Sequence, residues 1–444
     1  MLFNTLSFLS AFLLFAHELV ISQELLPQFG GSYLVWLISV FFYTCVLFLG
    51  YLAASLAPRM SRAWPLFHSL IMIAALIRTW LPVMPAADSS LLSLLLQKSF
   101  LPLFCLSLTS PLLQILKDSL GQKLNFQIYA FSNIGSALAL LVFPLLVHPF
   151  VAHSKIILAL QVSFTLYGLG IGCILYRSLN FFTSSAPAQY LLVPPTFKDA
   201  LVWVSLPALS TMLYLAVTNF ISQRVGNLPF IWTFPLFCYL YSFVITFRDA
   251  PYPQRLMSAL LAVWALLFVS NLVLPDLPLL EATSYILFTF IACSIIHQQL
   301  YRKRPLSAEK VGPFYVMINL GGVLGTTLVA FVIPQLPWQS GNSLLELDLS
   351  IGGLFVFFIL RDIVGEVQTV RDFLTKKILL KSVPLLLVTG VVILGKLQTE
   401  NVPLVTLRNF YGINKIIMGA DGKKILINGR TVHGGEFVDE KRQG

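Results

Sequence analysis

Apolar runs of bilayer-crossing length recur along almost the whole of this sequence, and no other feature limits its fold as strongly. A hydrocarbon core about 30 Å thick takes about 20 helical residues to cross, and inside it every backbone N–H and C=O has to be satisfied within the segment. The runs fall at 2–22, 33–56, 65–84, 92–115, 126–148, 156–176, 200–221, 228–247, 256–274, 280–300, 312–334, 349–360 and 382–396, the last two being short. With 57% hydrophobic residues, 11% charged residues and a mean hydropathy of +0.83, little sequence is left over for soluble domains. The expected fold is an all-α polytopic membrane protein of about 12 to 14 transmembrane helices.

The first run is expected to stay as a helix rather than be cleaved. It lacks a basic leading region, carries His17 and Glu18 late, and shows no small-residue cleavage site. Cys45, Cys105, Cys173, Cys238 and Cys293 each stand alone in an apolar run, without CxxC spacing, so packing is their expected role and neither zinc nor a disulfide framework is implied. The net charge of +10 is explained by position: Arg59, Arg62, Lys117, Lys123, Arg177, Lys198, Arg248, Arg255, Arg302 to Arg304, Lys310 and the stretch Arg361 to Lys381 fall in even-numbered connections, whereas the odd ones hold little beyond Lys155 and Arg224. That asymmetry predicts a cytoplasmic N-terminus in an inner membrane, with the lipid bilayer and not nucleic acid as the partner of the basic charge.

An internal echo organises the chain. YAFSNIGSALALLVFPLL from Tyr129 aligns with YVMINLGGVLGTTLVAFVI from Tyr315, pairing Tyr129 with Tyr315, Asn133 with Asn319, Gly135 with Gly321 and Leu138 with Leu324. The two segments are the fifth and eleventh runs, and an offset of six suits two parallel six-helix halves of the major-facilitator type, 1–190 and 191–400 with extra helices. Small residues recur wherever membrane helices pack closely, which is the plainer source of such a match. Beyond residue 400 the character changes: Ile413, Ile416 and Ile417, then Ala420-Asp421-Gly422, then Ile425, Leu426 and Ile427 predict a short β-hairpin around a DG turn within 401–444, which needs another surface to pack on.

Ionisable groups inside membrane helices are costly and so mark candidate sites. Glu18 and Arg78 are the clearest, either paired with each other or lining a cavity for a charged solute; the plainer reading has both reaching for an interface. Asn133, Asn219 and Asn319 are amides for binding a solute at the midplane, or for helix-to-helix hydrogen bonds. His297, with Gln298 and Gln299, ends the tenth run and serves either a solute or a polar cap at the membrane surface. Gly168-Leu-Gly-Ile-Gly172 imitates a nucleotide loop but lies within an apolar helix, where the glycines are expected to permit close packing. No metal spacing, catalytic motif or cofactor loop is found, so no cofactor and no catalytic residue are expected.

Several blocks together resemble the membrane proteins of the spermidine-synthase-like family, in which a transporter-like helical region precedes a polyamine synthase domain. They begin at Glu18 (ELVISQELLPQFGGSYLVWLISVFFYTCVLFLGYLAA), Ser107 (SLTSPLLQ), Ile128 (IYAFSNIGSALALLVFPLLVHP), Leu215 (LAVTNFISQRVGNLPFIWTFPLFCYLYSF) and Phe314 (FYVMINLGGVLG). The chain departs from the family's His-Gly-Glu-Leu, having His297-Gln298-Gln299-Leu300. Arg408 to Gly412 and Asn428 to Glu436 resemble the small β-unit that opens the synthase domain, with Glu436 where the family has glutamine. The resemblance implies that the adenosyl pocket and diamine-binding acids would follow, yet the sequence stops at Gly444, so no aminopropyl transfer is expected from it. Two functions are therefore expected: a transporter or binder of a small solute, such as a polyamine, or a membrane anchor for a separately encoded synthase domain.

Overall fold

Each apolar run folds as a helix because a backbone in lipid can satisfy its own hydrogen bonds in that form. The computed structural model describes residues 2–30, 33–60, 63–81, 89–119, 127–177, 194–225, 232–248, 253–274, 277–305, 307, 310–336, 344–354, 404–409, 412–419, 422–428 and 431–437. The helices are α1 (Leu2–Phe29), α2 (Tyr33–Met60), α3 (Ala63–Trp80), α4 (Leu91–Ser119), α5 (Gln127–Val142), α6 (His153–Arg177), α7 (Phe197–Val225), α8 (Thr233–Phe247), α9 (Gln254–Val273), α10 (Pro278–Arg302), α11 (Val311–Thr327) and α12, helical over 345–354. Among the described residues nine helices are long and apolar enough to cross a membrane, while α3 and α8 carry shorter apolar stretches, Leu66–Trp80 and Thr233–Phe247. This is a helical membrane protein. The run at 382–396, the basic stretch from Arg361 to Lys381 and residues 355–360 of the twelfth run lie outside the described residues.

Helix pairing repeats with an offset of six. Among the earlier helices α1 packs on α5 and α4, α2 on α4, and α3 on α4; among the later ones α7 packs on α11 and α10, α8 on α10, and α9 on α10. The two groups meet where α2 packs on α11 and α5 on α8, contacts that exchange under the same offset.

The echoed residues perform matching tasks. A Cβ on Gly135 would stand 2.2 Å from the Phe8 carbonyl oxygen on α1, and one on Gly321 would stand 2.4 Å from the Val204 carbonyl oxygen on α7. These contacts are too close for any side chain, so each glycine sets the approach of its helix to a neighbour. Asn133 donates Nδ2 to the Tyr129 carbonyl and Asn319 to the Tyr315 carbonyl, both at 2.8 Å. Leu138 and Leu324 are exposed on the outside of the bundle, 41% and 42%. Both helices also widen into a five-residue π-turn, Phe143–Val147 and Leu328–Val332. Pro144 and Pro334 sit in or just after these turns, where a missing N–H and a steric clash disturb the α-helical ladder.

The glycines of α6 behave differently from expectation. A Cβ on Gly168 would meet Met72 Sδ at 3.2 Å, but those on Gly170 and Gly172 would meet nothing within 4 Å. Of the three, Gly168 alone stands against another helix: Gly170, two residues on, points in a widely separated direction, and Gly172, a turn above Gly168 on the same face, has no neighbour at its level among the described residues.

At the C-terminus the hairpin grows into a four-stranded antiparallel meander, β1 (Val405–Asn409), β2 (Gly412–Met418), β3 (Lys423–Asn428) and β4 (Thr431–Phe437). Ile416 opposes Leu426, as the DG turn predicts, and Gly422 takes the positive φ of 76° that its turn requires. Partial burial, and then the nearby Arg224 charge, lower the pKa of Lys415 on β2.

The glycine contacts give a direct test. G135A and G321A should each lower the melting temperature in detergent markedly, because backbone rather than a flexible side chain blocks the new methyl; G170A should leave it within about a degree. A tolerated G135A would refute the close α1–α5 approach.

Candidate functional site

Where the two groups of helices meet, their polar residues enclose a cavity of about 120 Å³ lined from α1, α2, α4, α5, α7, α8 and α11. Glu18 comes from α1, Tyr43 and Tyr51 from α2, Asn133 and Tyr129 from α5, Tyr214 from α7, Tyr239 from α8, and Asn319 from α11. Serine hydroxyls tie one wall together: Ser7 Oγ lies 2.8 Å from Ser110 Oγ, which donates to Ser132 Oγ at 3.1 Å, joining α1, α4 and α5.

Apolar and aromatic layers bound the cavity at its two ends. Towards the end where α1 finishes, Leu19, Trp36, Val40, Leu236, Leu240 and Val329 form one buried cluster drawn from both halves, and Trp36 meets Trp232 at 4.9 Å between centroids. Towards the other end the echoed tyrosines meet each other, Tyr129 to Tyr315 at 4.8 Å. Tyr51 adjoins Tyr315 at 6.2 Å, and Phe243 and Phe247 adjoin Tyr129 at 5.6 and 5.2 Å.

Among the described residues Glu18 is the only acid lining this space. It is 4% exposed, and its carboxylate has no hydrogen-bond or salt-bridge partner among the described residues. The Tyr43 phenol lies within electrostatic reach. The burial of Glu18 inside the bundle suits the cavity-lining reading better than the interface-seeking one, and α1 continues to Phe29, eleven residues further on. At 1.5 Å per residue that is about 16 Å, well beyond the reach of a glutamate side chain.

The remaining candidates separate. Arg78 does not pair with Glu18: it stands in the last turn of α3, donates Nε to the Gln97 carbonyl at 2.5 Å and Nη1 to the Leu81 carbonyl at 3.1 Å, and faces a second cavity. Asn219 lies outside the central cavity, donating Nδ2 to Glu346 Oε1 at 2.5 Å while its Oδ1 accepts from Gln223 at 3.0 Å. His297 is fully buried a turn and more before the end of α10, so it is not a surface cap. Its Nδ1 lies 2.6 Å from Ser242 Oγ and its Nε2 3.0 Å from Ser210 Oγ, linking α10 to α8 and α7. The imidazole stacks on Phe243 with centroids 3.5 Å apart, one layer behind the cavity wall.

Two groups escaped the sequence reading. Glu346 is completely buried in α12; the twelfth run was placed from residue 349, and the helix begins four residues earlier. Glu24 pairs with Lys98 at 2.6 Å. Lys98 inside the run 92–115 was a readable signal for an intramembrane partner, but α1 had been ended at residue 22, before Glu24. No group of three or more His, Cys, Asp or Glu suited to a metal occurs among the described residues. No protein-family model and no curated protein matches the chain.

The Asn219–Glu346 contact predicts a graded response. E346L leaves a buried amide donor without its acceptor and should destabilise the protein by about 1–3 kcal/mol, whereas E346Q keeps an acceptor and should cost less than half as much, both read from denaturation in detergent.

Proposed function

We propose that this chain is a carrier or binding protein for a small cationic solute, with the polyamines as its substrate class, built as two six-helix halves of the major-facilitator type. The observation that carries the reading is the Glu18 carboxylate, buried in the central cavity without a partner among the described residues. An ionised carboxylate held near mid-membrane costs about 2.5–3.5 kcal/mol on insertion scales, and a cation with its own N–H donors offsets that cost. Tyrosine faces and the hydroxyls of Ser110, Ser132 and Thr211 suit an alkylammonium chain better than an anion.

The packing pattern supports the two-half arrangement, since the contacts of each group repeat at an offset of six and the cavity lies where the groups meet. In this reading the halves rock about the fixed Glu18 site. The cluster containing Leu19, Trp36 and Leu240 closes one end of the route and the Tyr129–Tyr315 pair the other. With the basic connections in the cytoplasm of an inner-membrane orientation, the tyrosine pair is the cytoplasmic closure.

A second reading, a membrane anchor for a separately encoded synthase domain, is favoured by one feature of the C-terminal sheet. Val405, Leu407, Met418 and Leu426 share one face and are 41–62% exposed. The count of apolar runs weighs against it: thirteen crossings from a cytoplasmic N-terminus would put the tail opposite the cytoplasm, where no adenosyl cofactor is expected.

A thermal-shift titration of purified protein with putrescine and spermidine tests the carrier reading. At about a hundred times the dissociation constant a ligand adds roughly 2.7 kcal/mol of stability. The wild type should melt higher with at least one polyamine and E18Q should not respond. An equal response in E18Q would remove Glu18 as the counter-charge, and a flat wild type would remove polyamines as the substrate class.

A further inference from the structure

The separation of Arg78 from Glu18 leaves a cation as well as an anion unaccounted for. Arg78 borders a second cavity, of about 170 Å³, enclosed by α1, α3, α4 and α6 within the first half and away from the junction between halves. Its polar lining is His17, Glu24, Arg78, Thr79, Lys98 and Gln161. Glu24 is committed to Lys98. Gln161 gives its Nε2 to the Thr79 carbonyl at 2.9 Å. His17 Nε2 is buried with no hydrogen-bond partner.

Counting charge and donors identifies the missing group. The guanidinium has five N–H donors, and among the described residues two are used, on the carbonyls of Gln97 and Leu81; the Lys98 ammonium has three, of which one is used there, on Glu24. The lining therefore holds one net positive charge and several unfilled donors, and no carboxylate lies within salt-bridge distance of Arg78 among the described residues. A planar fork next to an ammonium matches an oxyanion bearing several acceptor oxygens, phosphate above all.

The surroundings indicate the level at which such a group would sit. Arg78 lies in the last turn of α3, beside Trp80, whose Nε1 donates to Thr165 on α6 at 3.1 Å and bridges the two helices. Trp at that level is characteristic of the membrane–water boundary. Leu70, Ile73 and Ile77 on α3 and Leu158 and Leu166 on α6 are all more than half exposed, which makes this flank lipid-facing. From these observations we infer that the cavity in the first half binds a phosphate oxyanion through Arg78 and Lys98. Its source is either the headgroup of a phospholipid in the leaflet farther from the N-terminus of α1 or a free phosphate ester. The inference does not rest on the polyamine reading, because neither Glu18 nor the central cavity takes part.

Delipidated full-length protein in neutral detergent provides the test, titrated separately with phosphatidylglycerol in mixed micelles, diacylglycerol lacking the phosphate, and inorganic phosphate at matched ionic strength. The wild type should melt higher with phosphatidylglycerol or with phosphate, the responding arm identifying the source, and diacylglycerol should do nothing. R78Q should weaken the apparent affinity about tenfold or more, as the loss of a charged hydrogen-bonding group implies. R78K keeps the charge without the fork; it should fold even if R78Q does not, and should fall between. E18Q should respond as the wild type does. The inference is overturned if neither phosphate-bearing ligand exceeds its control in the wild type, or if R78K and every folded Arg78 variant respond undiminished.

Discussion

Uncompensated charge is what this structure is arranged around. In a medium that offers no water, each ionisable or strongly polar side chain needs a partner, and removing one partner of a buried pair costs more than the pair itself contributes. Most such groups here are satisfied internally: Glu24 by Lys98, Glu346 by Asn219, and His297 by Ser242 and Ser210. Among the described residues Glu18 has no such partner and Arg78 has backbone carbonyls but no carboxylate, and each borders a cavity of its own. The two opposite charges thus stand apart, which is the ground of the two proposals made for them.

Close helix spacing shapes the central cavity. Gly135 and Gly321 let α5 and α11 touch the backbones of α1 and α7. The same tight approach turns Asn133 and Asn319 towards the space between the halves and brings Tyr129 against Tyr315. An aromatic pair of this kind, with its rings tilted at 31°, is worth about 0.5–1.5 kcal/mol beyond its buried area.

Much of the fold was legible in the sequence because length and hydropathy alone decide where a bilayer is crossed, and the helices α1 to α11 fall on the runs expected. The echo was legible too, since the paired tyrosine, asparagine, glycine and leucine do the same work in each segment. Helix ends were less legible. Polar residues such as Glu24 and Glu346 continue a helix when a partner on another helix receives them, and no pattern within one run reveals that partner. For the same reason Glu18 and Arg78 could be singled out but not placed: a residue's position along its helix was readable, its facing was not. The strands β1 and β4 escaped because Val405–Asn409 and Thr431–Phe437 are polar or glycine-containing, and the register of β2 and β3 is what recruits them.

The central claim is that Glu18 holds a solute which crosses between the halves, and counterflow in proteoliposomes addresses it most directly. Vesicles loaded with unlabelled spermidine are diluted into a trace of radiolabelled spermidine, so that exchange through the carrier produces a transient accumulation independent of any coupling ion. The account predicts an overshoot with the wild type and none with E18Q reconstituted to the same density. An E18Q overshoot equal to the wild type's, or vesicles carrying wild-type protein that behave like empty ones, would contradict it.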